Sequence, residues 1–111
     1  MEIITKSREL SKAELYKMTM DAGIITMNNI DDGTLIDVDA VVTFIDTKSD
    51  GEQVKITSIM DKDGNVTAFQ SETFRRSLKN IMEIMDGDDF SIIKESGKTK
   101  SGRSFINCRL A

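Results

Sequence analysis

The sequence predicts a mainly β fold, a barrel accompanied by helices, and three observations carry that expectation. From Leu35 the hydrophobic period changes from helical to two, turn signals rich in Asp and Gly recur at short spacing, and only two segments pair a helix cap with an apolar stripe. The chain has 111 residues, 39% apolar and 31% charged, which suits one small domain with a single core. It has no proline, no low-complexity run and no internal repeat, so residues 1–111 form a single domain. Within it, 1–30 read as an N-terminal helix and connector and 31–111 as the barrel. Its apolar runs fall far short of the roughly 20 residues that span a bilayer, and the N-terminus "MEIITKSRELSK" has no signal-peptide apolar block. No membrane contact and a cytoplasmic location follow. The lone Cys108 cannot form an internal disulfide and reads as a small buried apolar side chain.

In "LSKAELYKM", Ser11 can cap a helix, Glu14 completes a capping box, and Leu10 and Leu15 occupy the staple positions. That helix is expected to end near Gly23, with "ITMNNIDDG" as connector. "LIDVDAVVTFIDTK" then gives a long first strand, with Val38, Ala40, Val42 and Phe44 on one side and Asp37, Asp39 and Thr43 on the other. After the turn "SDGE", "QVKITSIMD" sets Val54, Ile56, Ser58 and Met60 against Lys55, Thr57 and Ile59, and "DKDGN" turns into a third strand, "VTAFQS". "SETFRRSLKNIMEIMDG" predicts a helix of about four turns. Ser71 is its cap, Phe74, Leu78, Ile81, Met82 and Met85 its apolar stripe, and Gly87 its stop. "DFSIIKE" and "RSFINCRL" are two short closing strands joined by "SGKTKSG", and "MEIIT" can add a short strand at the start.

Three strands, a helix and two strands, with a long first strand, is the order of the OB-fold, a five-stranded Greek-key barrel with a helix between strands three and four. The last 21 residues hold Lys94, Lys98, Lys100, Arg103 and Arg109 against Glu95 alone, leaving 10 basic against 18 acidic residues in the first 90. This cationic run falls on the hairpin between strands four and five, one of the loops with which the OB-fold grips its ligand. Cations clustered on an otherwise acidic domain suit phosphate backbones. On the last strand, Ile106, Cys108 and Leu110 form the core face, which places Phe105 on the solvent side between Arg103 and Arg109. An exposed ring stacks bases without regard to sequence. Phe69 has the same expected placement, and the candidate nucleic-acid set is Lys55, Phe69, Lys94, Lys98, Lys100, Arg103, Phe105 and Arg109.

Other chemistries find no support. Gly97-Lys98-Thr99 resembles the end of a phosphate-binding P-loop, but Ile92 stands where the first glycine belongs and a strand follows where a helix should. "DKDGN" looks like a calcium loop, yet counting from Asp61 the sixth position is Val66 and not glycine. There is no histidine and no Ser or Cys with a basic partner, so neither catalysis nor a cofactor is expected. The acids Asp37, Asp39, Asp86, Asp88 and Asp89 read as solvated turns and strand edges, with no metal.

The run from "LIDVDAVVTFIDTK" through "ITSIMDKDGNVTAFQSETFRRSLKNIM" to "SGKTKSGRSFINCRL" resembles the small OB-fold single-stranded DNA-binding proteins of tailed phages that infect Gram-positive bacteria. The resemblance covers residues 30 to 110 and includes a closing loop of the G-K-x-K-x-G-R type. It implies coating of single strands, DNA or also RNA, during phage replication or recombination in the host cytoplasm. By position, Lys98, Lys100 and Arg103 would contact phosphates and Phe105 would stack a base. One departure is the lack of a Gly- and Pro-rich linker with an acidic tip, so replication or recombination partners would be met by the N-terminal helix or the acidic surface. Exposed strand edges leave a homodimer open. A second reading makes the acidic face of residues 1–90 a DNA mimic or docking surface that inhibits a host defence protein.

Overall fold

The computed structural model describes all 111 residues as a mixed α/β protein: one curled seven-stranded sheet with two helices. The strands are β1 (Glu2–Lys6), β2 (Ile25–Thr26), β3 (Leu35–Thr47), β4 (Gln53–Asp61), β5 (Val66–Phe69), β6 (Phe90–Lys98) and β7 (Ser104–Leu110), and the helices are α1 (Lys12–Thr19) and α2 (Glu72–Met85). The sheet runs β2-β5-β4-β3-β6-β7, with β1 joined to β3. β3 is long enough to serve two partners along one edge: its first residues pair with Phe90–Ile93 of β6 and its later ones with β1.

Both helices start as their caps dictate. Ser11 accepts from the Glu14 N–H while Glu14 accepts from the Ser11 N–H, the full capping box. Ser71 caps α2, which stops where Asp86 takes a left-handed conformation (φ 47°) just before Gly87 (φ 91°). α1 ends at Thr19, earlier than the glycine signal suggests, and a two-residue strand and a short 3-10 turn at Met27–Asn29 fill the expected connector.

The sheet is buried on both faces, and a β-bulge decides which residue faces where. The β3–β4 register shifts between Val38 and Ala40, leaving Asp39 as the extra residue. The strict alternation expected for β3 is therefore corrected. Ile36, Val38 and Val41 enter a cluster inside the curl with Ile59, Phe69, Ile92, Ile106, Cys108 and the α2 residues Phe74 and Leu78. Ala40, Val42 and Phe44 face outward instead, into a second cluster with Met60, Val66 and Met18 of α1. Phe69 belongs to the inner row because it pairs with Thr57, and its ring lies 4.3 Å from that of Phe74.

Three carboxylates, Glu14, Asp39 and Asp32, hold the N-terminal region and the β2–β3 turn in place. Arg8 bridges Glu14 at 2.9 Å and Asp39 at 3.0 Å, tying the capping box to the bulge. Its hydrogen bonds, followed by the Ser11 N–H, hold the Glu14 carboxyl down to about 2, from an ordinary value of 4.5. Asp32 is likewise lowered, first by Lys94 and then by Ser96. A carboxyl whose folded value lies below its unfolded one stabilises the fold above the unfolded value and loses that contribution as pH falls through the folded one. Acid titration followed by circular dichroism should therefore show stability falling between pH 4.5 and about 2, less steeply in Glu14→Gln.

Candidate nucleic-acid interface

The β6–β7 hairpin is paired from Ile92↔Leu110 to Lys98↔Ser104 and closes through Thr99–Arg103. Thr99 organises that loop: its N–H donates to the Arg103 carbonyl (2.9 Å), its hydroxyl accepts from the Arg103 N–H (3.1 Å), and Gly102 (φ 85°) makes the tight return. Lys98, Lys100 and Arg103 are exposed on this tip, and none has a carboxylate within ion-pair distance. Phe105 lies beside them, half-buried, with its ring across Gly97 so closely that a Cβ on Gly97 would sit 2.8 Å from it.

The remaining candidates divide. Arg109 is exposed and paired with Glu95 at 2.5 Å. Lys94 is corrected: it is 4% exposed, faces inward beside Cys108, and its ammonium is held by Asp32 at 2.8 Å. A charge so enclosed and paired serves the turn before β3, where its backbone also bonds Gly33 and Thr34. Phe69 is corrected as well, since at 3% exposure it is a core ring and presents no stacking face. Burial pushes the Cys108 thiol up to about 12, so it stays protonated and inert.

Lys55 is exposed and lines a groove of about 480 Å³ between β1, the later part of β3, β4 and α2. Lys6 and Lys79 share it, and Val41, Leu78 and Met82 give it an apolar wall. Within it, the Thr43 and Thr57 hydroxyls bond each other at 2.8 Å, and Arg75 Nε donates to Thr57 at 2.8 Å. The same guanidinium donates to the Lys55 and Gln70 carbonyls and pairs with Glu72, which pins the start of α2 to β4. Lys6 and Lys79 were not visible as site residues because nothing local brings β1 against α2; the only hint is that Lys79 lies off the apolar stripe. A second cleft continues past Ser7, Val41 and Met82 and is acidic, with Asp39, Asp86, Asp88 and Asp89 among its lining. The cationic surface thus ends at an acidic one.

Unpaired cations on a hairpin and around a groove, one ring on the hairpin and an acidic remainder have the chemistry of a protein that binds an anionic polymer. A family model described as phage single-stranded DNA-binding protein matches residues 4–111, and the chain belongs to this Phi29-type family of non-catalytic single-stranded DNA-binding proteins. No curated protein and no solved structure matches it. No helix is long and apolar enough to cross a membrane.

Proposed function

We propose that the protein coats single-stranded DNA without regard to sequence during phage DNA replication or recombination, in the host cytoplasm. Its strands β3 to β7 with α2 follow the OB order, and the Ser71 hydroxyl reaching the Ile106 carbonyl at 3.5 Å ties the end of β5 to β7, where an OB barrel would close. The observation that carries the reading is the hairpin tip, where Lys98, Lys100 and Arg103 stand free beside Phe105 in a protein with 19 acidic and 15 basic residues. Such cations attract phosphates by counterion release, and the ring offers a stacking surface for a splayed base. Family membership supports the same ligand.

Fluorescence anisotropy with labelled oligo-dT and a duplex of equal length, at low and moderate salt, tests this. Salt-sensitive binding to the single strand alone is expected, with Phe105→Ala weaker than wild type by about 1–3 kcal/mol for the stacked base lost. Equal affinity for the duplex would overturn the single-strand assignment.

A further inference from the structure

We propose that the groove between β1 and α2 is a second contact site for the bound strand, which takes in one unstacked nucleotide. The inference rests on the single-strand reading above and assigns that reading a site away from the hairpin. The outer face of β4 and β5, which an OB barrel would offer to its ligand, is closed: Met60 and Val66 pack there against Met18 of α1, which is fully buried. A strand must therefore lie elsewhere on the sheet, and the groove opens on the opposite face.

Its size and chemistry suit a nucleotide. About 480 Å³ lies within the ordinary range of roughly 300–1,000 Å³ for small-molecule pockets. Lys6, Lys55 and Lys79 line it against the single carboxylate of Glu83. Lys55 and Lys79 have no ion-pair partner, and Lys6 has only the solvent-exposed Glu9 at 3.6 Å, so phosphate can recruit all three. The apolar wall of Val41, Leu78 and Met82 offers contact for a base.

The threonine pair adds a donor. Thr43 and Thr57 are 7% and 1% exposed, their mutual bond uses one hydroxyl proton, and Thr57 additionally accepts from Arg75. The second hydroxyl proton has no acceptor in the protein, whichever threonine carries it. A base carbonyl or ring nitrogen entering the groove satisfies it.

The test is Lys6→Ala with Lys79→Ala, titrated with labelled oligo-dT. Each phosphate contact on a single strand contributes about 0.7 to the log–log salt slope, so losing two should weaken binding about 25-fold at 0.1 M salt and about threefold at 0.5 M. Acetylation of wild-type lysines, mapped by mass spectrometry, should show Lys6 and Lys79 protected by oligo-dT, a readout that needs no variant. Wild-type affinity in the double variant, or undiminished acetylation of both lysines in the complex, would overturn the groove while leaving the hairpin assignment standing. Failure of wild type to bind oligo-dT would overturn both.

Discussion

Replacing Lys98, Lys100 and Arg103 together by Ala should weaken binding to oligo-dT about 100-fold at 0.1 M salt, and only about fourfold at 0.5 M, by the same counterion arithmetic for three phosphates. The loss should be the same for every base composition, because phosphate contacts carry no sequence information. The effect should also be confined to binding. All three side chains are exposed and none is ion-paired, so removing them leaves no buried group unsatisfied, and the loop is held by Thr99 and Gly102. An unchanged melting temperature is therefore the expected control. Arg109→Ala provides the contrast: that guanidinium is engaged by Glu95, so its removal should shift the salt slope less than removal of any one of the three. A triple variant with the wild-type salt slope would show that the hairpin tip does not touch the strand.

What was legible in the sequence was local. Ser11 with Glu14, Ser71, and Gly87 mark helix ends because capping is decided within four residues, and the Asp-Gly turns mark the meander for the same reason. Likewise the hairpin cations could be placed from their loop alone. The face assignment of β3 fails at one residue: the bulge at Asp39 reverses the faces of that strand, and period-two alternation cannot register an extra residue within it. Val38 and Phe44, expected on one side, lie in different cores. The burial of Lys94 is not legible locally because it depends on Asp32, a partner from the turn before β3. The groove was out of reach since Lys6, Lys55 and Lys79 meet only when β1 pairs with β3 and α2 folds across the sheet.

Phe69→Ala should destabilise the protein by about 3–5 kcal/mol, a large part of the roughly 5–15 kcal/mol that holds a small domain together. Phe69 is 3% exposed, inside the curl, its ring tilted 43° against that of the fully buried Phe74, so truncation leaves a cavity between β5 and the first turn of α2. That turn also carries Ser71, whose hydroxyl reaches β7, and Arg75, which reaches β4, so loosening it affects the contact with β7 and the groove wall together. Thermal denaturation should register a fall on the order of 15 °C for a domain of this size. The variant that separates packing from stacking is Phe69→Leu, which keeps an apolar side chain in the core but has no ring. As a packing residue, Phe69 can be leucine with oligo-dT affinity intact at a temperature where the variant is folded. A stacking residue would lose about 1–3 kcal/mol of binding under the same conditions, so a weakened but folded Phe69→Leu protein would return that ring to the interface.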